Sequence, residues 1–202
     1  MYTWLAILVV VLVILVVIGY VLWSRSTRST TTERSGPTDP FHTGDQDSLR
    51  GDPRELKAGD IVEIRGDAYT VRGSLRLSEG GWTWSEHLLD DSKGTQVWLG
   101  VEEDPDLSLS LWKPLDDADE LRPGASKIEV EHRTYRSEES GTASFRSEAT
   151  TGLDEHGTMQ YHDYEGPGGS LLSFEAYGEA GWEASRGEEL TRYDVRIYPT
   201  AD

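Results

Sequence analysis

The chain changes its hydrophobic rhythm twice. Leu5 to Ile18 is an unbroken aliphatic run inside a 24-residue opening that carries no charge. From Trp4 to Trp23 is 20 residues, or ~30 Å of helix, the thickness of a bilayer's hydrocarbon core. This predicts a transmembrane helix over residues 1–24, because a helix satisfies its own backbone hydrogen bonds in lipid. Trp4, Tyr20 and Trp23 stand near its ends, where aromatic rings favour the headgroup layer, and so are the expected anchor residues. A cleaved signal peptide fits less well: Met1-Tyr2-Thr3 has no basic side chain and 21–24 offers no small-residue cleavage site. Arg25, Arg28 and Arg34 follow the helix and no basic residue precedes it. The positive-inside rule then puts the N-terminus outside and the rest in the cytoplasm, on a single-pass protein of the plasma (inner) membrane.

Residues 25–54 are rich in Ser, Thr, Asp, Gly and Pro and almost free of apolar side chains. Such a stretch reads as a flexible linker, since it cannot bury enough surface to offset its ordering entropy.

From residue 55 to 202 the rhythm becomes the two-residue alternation of strands. Tyr69, Val71, Leu75 and Leu77 share one parity, with Arg72 and Arg76 on the other. Leu107, Leu109 and Leu111 alternate with Ser108 and Ser110, and Tyr193, Val195 and Ile197 with Arg192, Asp194 and Arg196. Further strands are expected at 60–65, 82–89, 96–102, 127–136, 142–149, 158–164, 170–177, 180–185 and 190–198, with loops between them, among them 113–125. Glycine-containing turns bound most of them. The expected fold class is all-β, a single roll, barrel or sandwich, plus the one N-terminal helix. Two short matches suggest related halves: Val62-x-Ile64-x4-Tyr69 returns as Ile128-x-Val130-x4-Tyr135, and Trp98–Glu102 resembles Leu171–Glu175.

Composition narrows the chemistry. There is no cysteine, which excludes disulfides, thiolate metal sites and cysteine nucleophiles. The net charge is -18 and residues 25–34 contribute +2, leaving -20 on residues 35–202. A surface of that sign repels nucleic acid and anionic headgroups, and attracts basic partners such as polyamines or cationic protein tails. Acidity also serves simply to keep a tethered domain soluble and off the bilayer.

Leu56-Lys-Ala-Gly-Asp-Ile-Val62, Tyr69-Thr-Val-Arg-Gly73, Trp84-Ser-Glu86, Leu89 and Trp98-Leu-Gly-Val-Glu102 together resemble the bacterial domain of unknown function numbered 4178. Asp163-Tyr164-Glu165 and Leu172-Ser-Phe-Glu175 are similar to its second half. The resemblance spans roughly 56–198. It implies a β-rich fold and a bacterial source, with no established catalytic residues. Members are often encoded near small membrane proteins and polyamine-synthase-like proteins, which implies association with a membrane assembly.

Candidate chemistry is sparse. Glu86 follows Trp82 and Trp84 on the same strand face, and a carboxylate among aromatic rings can be held protonated. A carboxylate hydrogen-bonded at a sheet rim explains it equally. His87 points to the other face, so the pair cannot act together on a regular strand. Asp154-Glu-His156 and His162-Asp-Tyr-Glu165 mix histidine with carboxylates, but without a recognised zinc spacing. Glu165-Gly-Pro-Gly-Gly169 lacks the lysine and helix of a phosphate loop, and no nucleophile elbow occurs. The tryptophans at 82, 84, 98, 112 and 182 are expected mostly in the core, or on a partner-binding face where exposed together.

The sequence therefore points to no catalytic residues, no metal ligands and no cofactor. Trp82, Trp84, Glu86, Trp98 and Glu102 are the candidate residues for binding a ligand or partner. The expected function is a non-enzymatic interaction module that meets lipid through residues 1–24 and another membrane-associated protein through its β domain. The alternative is an enzyme or a sensor of a small ligand, such as a polyamine or metal, using Glu86 and the acidic hairpins.

Overall fold

The computed structural model describes residues 50–115, 118 and 121–200, all within one compact unit that begins at Gly44. The expected helix over 1–24, with Trp4, Tyr20 and Trp23, and the linker up to residue 49 lie outside the described residues. Among the described residues no helix is long and apolar enough to cross a membrane.

The first half of the unit holds β1 (Ile61–Ile64), β2 (Asp67–Glu79), β3 (Trp82–Asp90), β4 (Gln96–Glu103) and β5 (Leu107–Pro114). The second holds β6 (Lys127–Val130), β7 (Arg133–Ala149), β8 (His156–Glu165), β9 (Ser170–Tyr177) and β10 (Glu183–Leu190), and β11 (Val195–Tyr198) is the last strand described. Every pairing is antiparallel, and the spatial order runs β11-β1-β2-β3-β4-β5-β10-β9-β8-β7-β6. Gly73–Ser78 of β2 also pairs with Ser144–Ala149 of β7. That seam closes eight strands, β2 to β5 and β7 to β10, into a barrel with no open edge among them, and leaves β11 and β6 as the edge strands outside it.

Three hydrophobic clusters follow from this closure. Leu75, Leu77, Ala143, Phe145 and Met159 fill part of the barrel interior. Leu89, Val97, Leu99, Leu109 and Leu111, on the outer face of β3 to β5, are covered by Val62 and Ile64 of β1, Val195 and Ile197 of β11, and Leu56. Tyr164, Leu172 and Phe174, outside β8 and β9, are covered by Val130 of β6 and by Leu115, Ala118 and Leu121. Both faces of these strands are therefore buried, each large apolar side chain contributing ~1.5–3 kcal/mol.

A β-bulge corrects the parity read from the sequence. Register shifts between Val71 and Gly73, so Arg72 is the extra residue and the side chains change faces there. Tyr69 and Val71 join the outer core, whereas Leu75 and Leu77 point into the barrel. The four do not share one buried face. The expected strand 127–136 is broken at Glu131 and His132, both at positive φ, and the remainder joins 142–149 in the 17-residue β7. The expected strand 180–185 begins later, at Glu183, and continues to Leu190, and that at 190–198 shortens to Val195–Tyr198, because residues 191–194 turn and leave Tyr193 exposed. Residues 50–54, expected in the linker, are docked: Ile197 donates its backbone N–H to Arg50 O at 2.7 Å, and Pro53 is buried at the start of a 3-10 turn. Trp82 and Trp182, expected in the core, are 58% and 36% exposed.

The two halves repeat in register. Val62 opposes Tyr69 in the β1–β2 pair, and Ile128 opposes Tyr135 in the β6–β7 pair, each 66 positions on. The bulge of β7, between Ser137 and Glu139, leaves Glu138 extra, again 66 positions after Arg72. Ser74 opposes His87 as Ser140 opposes His162. Carried across the ladder, Trp84–Glu102 corresponds to Met159–Tyr177. The likeness of Trp98–Glu102 to Leu171–Glu175 is thus two residues out of register. Equivalent strands meet antiparallel at both seams, β2 with β7 and β5 with β10, as an approximate twofold axis across the barrel requires.

Candidate functional site

The ends of the barrel interior are not filled by the apolar cluster. One cavity of about 420 Å³ lies among the strand ends of the first half. Its aromatic wall is Trp82, Trp84, Trp112 and Tyr161, and its polar wall includes Glu79, Glu86, Glu102, Glu139, Asp163 and Glu175. A second cavity of about 240 Å³ opens toward the other end, lined by Trp98, Trp112, Leu153, Tyr177, Glu86, Glu175 and Glu183 among others. Strand alternation makes this wall. Trp84 and Glu86 on β3 face inward opposite Glu102 and Gly100 on β4, while Asp163 and Tyr161 on β8 oppose Ser173 and Glu175 on β9.

The acidic groups are held in place by neutral donors. Trp84 Nε1 donates to Glu86 Oε1 at 3.1 Å, and the Tyr177 hydroxyl donates to Glu175 Oε2 at 2.9 Å. Tyr161 OH donates to Glu79 Oε2 at 2.7 Å and Thr142 N–H to its other oxygen at 3.0 Å. Trp84 and Tyr161 meet edge to face with centroids 5.9 Å apart. Trp112 Nε1 donates to Ser110 Oγ at 2.7 Å. Its ring lies over Gly187, where a Cβ would come within 2.5 Å of it.

Among the described residues that line the two cavities there is no lysine or arginine. Burial pushes the Glu86 carboxyl up to about 7, with the Trp84 hydrogen bond opposing and the Asp163 charge adding to the rise. Burial likewise raises Glu175 well above the usual range, and the charge of Glu86 raises it further. Asp163 is pushed up to about 6, chiefly by burial, against a hydrogen bond with Ser173. Glu79 moves the other way, lowered by Tyr161 and Thr142. The three inner carboxyls are half-buried rather than sealed, because their exposed atoms look into the cavities.

This chain belongs to the DUF4178 family, a domain of unknown function, whose profile matches residues 57–192. All eight strands of the barrel lie within that stretch. An uncharacterised protein of Mycobacterium bovis and two of Mycobacterium tuberculosis strains are each 37% identical over 154 residues, covering 73% of either chain. No solved structure matches.

Of the residues singled out from the sequence of this DUF4178 member, Trp82, Trp84, Glu86 and Glu102 line the first cavity. Trp98 lines the second, where Glu86 appears again. Glu86 and His87 do face opposite ways. Asp163 comes out of the acidic hairpin that was weighed as a metal ligand, but His162 stacks on Tyr164, on the outer side of the strand. Among the described residues no group of three or more His, Asp and Glu is placed to hold a metal ion. Glu175, Tyr161 and Tyr177 join the site without having stood out in the sequence, and Asp163 and Trp112 line it beside them. Their signal was parity: Met159, Tyr161 and Asp163 alternate on β8, and Ser173, Glu175 and Tyr177 on β9, so one face of each strand mixes acids with rings.

A groove of about 530 Å³ beside Arg54, Arg76 and Glu103 is larger. Its cations are already engaged: Arg54 pairs with Glu103 at 2.9 Å and Arg76 with Glu148 at 3.1 Å.

Proposed function

We propose that the β domain is a binding module for a small organic cation, an amine or guanidinium compound taken into the barrel. The observation that carries this reading is the trio Glu86, Asp163 and Glu175, which line one cavity whose described lining holds no lysine or arginine. Carboxylates gathered in a poorly solvated space repel one another and stay protonated unless a positive charge joins them. An ammonium group supplies that charge and donates to several oxygens at once. The rings of Trp84, Trp112 and Tyr161 add faces that attract cations and cover the apolar part of a ligand. An organic cation suits this wall better than a bare metal ion, which needs a tighter cluster of ligands. The net charge of -18 favours the approach of any cation from solution.

The apolar run over 1–24 supports a further part of the proposal, that the module is tethered to the bacterial inner membrane with the barrel on the cytoplasmic side. In that setting it acts as a ligand-responsive accessory to a membrane-associated protein, without catalysis of its own.

Isothermal titration of the detergent-solubilised full chain with 1,4-diaminobutane, spermidine and arginine amide tests the binding reading. Dissociation constants of about 1 mM or tighter are expected, weakened roughly tenfold or more by Glu86→Gln. Absence of binding by all three cations overturns it.

A further inference from the structure

The two cavities share three wall residues. Glu86, Trp112 and Glu175 line both the space of about 420 Å³ and the space of about 240 Å³. The mouths are related by the same approximate twofold as the strands. The first is framed by the β2–β3 and β4–β5 hairpins, through Glu79, Trp82, Glu102 and Asp104. The second is framed by the equivalent β7–β8 and β9–β10 hairpins, through Thr151, Leu153, Tyr177 and Glu183. Carboxylates therefore stand at one mouth, at the waist and at the other mouth, with aromatic rings between them.

We infer that the two cavities are one passage through the barrel, and that its ligand is a linear molecule carrying cationic groups at both ends of an apolar chain. The inference rests on the cation-binding reading above and fixes the shape of the cation. A compact monoamine satisfies the waist and leaves both mouths unmatched. A linear diamine or triamine places one ammonium at Glu86 and Glu175 and another toward Glu102 or Glu183, while its methylenes lie along Trp112 and Trp98 or Trp84. The combined space falls within the ~300–1,000 Å³ typical of small-molecule sites. Linking two weak contacts in one ligand multiplies their affinities only when its length matches their separation, so chain length is the variable that reads the passage.

The test is titration of the detergent-solubilised full chain with n-butylamine, 1,4-diaminobutane, 1,8-diaminooctane and spermine, for wild type and for Glu183→Gln. Glu183 is exposed, so its amide replaces a charge without disturbing the core. A gain of about tenfold or more from butylamine to the best linear polyamine is expected, with one ligand per barrel. Glu183→Gln is expected to weaken the longest ligands several-fold more than butylamine. Equal affinity for butylamine and the polyamines, or two diamines bound per barrel, overturns the single passage and leaves the cation-binding reading standing. Failure of every amine, butylamine included, overturns both.

Discussion

Glu86 and His87 are neighbours in β3 yet lie in separate interiors. Glu86 looks into the barrel opposite Gly100, and His87 is fully buried in the outer layer opposite Leu99, with its Nδ1 2.8 Å from Ser74 Oγ. Burial acts on both, and in opposite directions on the pKa scale. The carboxyl is pushed up to about 7 and the imidazole down to about 3. Each is kept neutral over much of the intervening range.

The ligand-free barrel is accordingly expected to lose stability as pH rises. Between the ordinary Glu value of 4.5 and about 7, Glu86 binds more protons folded than unfolded, so its contribution falls across that window. Asp163 behaves alike between 3.8 and about 6, and Glu175 adds to the trend. His87 opposes it, since its contribution is complete above 6.5 and is lost as pH falls toward about 3. The carboxyls are isolated by the double variant Glu86→Gln, Glu175→Gln. At pH 8 it should be more stable than wild type by ~2 kcal/mol, a rise of roughly 4–8 °C in Tm. Thermal melts at pH 4 and pH 8 check this, and a Tm gain independent of pH would contradict it.

Cation binding should release protons. An ammonium beside Glu86, Glu175 and Asp163 favours their ionised forms, so affinity for 1,4-diaminobutane is expected to rise from pH 5.5 to pH 8. The slope approaches about tenfold per pH unit for each proton released. Titration heats measured at pH 6.5 in buffers of different ionisation enthalpy count those protons; heats that ignore the buffer would rule out the linkage.

Ser74→Ala leaves the buried His87 Nδ1 without its hydrogen-bond partner, beside an Nε2 that has none among the described residues. A cost of ~1–3 kcal/mol is expected, read as a lower urea midpoint at pH 7.5. An unchanged midpoint would mean that water replaces the hydroxyl.

Gly73→Ala probes the closure of the barrel. A Cβ there would stand 2.5 Å from the Thr150 carbonyl oxygen and 2.8 Å from that of Glu148, both main-chain atoms of the β7 side. The β2–β7 seam must part to admit it, at a cost of ~1–3 kcal/mol. Hydrogen exchange should rise at Ser74–Ser78 and Ser144–Glu148 before it rises in β4; uniform exchange would locate the strain elsewhere.

Much of this architecture was legible from alternation alone. Leu107 to Leu111 and Val195 to Ile197 are strands because period two leaves little else, and the Val62/Tyr69 and Ile128/Tyr135 spacings hold in the register of their hairpins. The barrel was not legible. Nothing local to Gly73 or Ala149 says that they pair across 76 positions, and one extra residue at Arg72 moves every later side chain of β2 to the other face. The same closure hid the site. Asp163 and Glu175 read as solvated acids on half-wet strands, and only the ring of strands turns their wet face into an interior. Trp84, Glu86 and Glu102 could be singled out because an acid beside tryptophans is unusual on any strand.

The route by which the chain enters the domain has a mechanical consequence. Arg50 and Gly51 are fastened to β11 and to Arg192, through Ile197 N–H and the Arg192 guanidinium. A pull on the N-terminal segment is therefore taken first by β11 and β1, the flap outside β3 to β5. Neither strand belongs to the ring of eight, so tension arriving along the chain loads the cover and spares the walls of the passage.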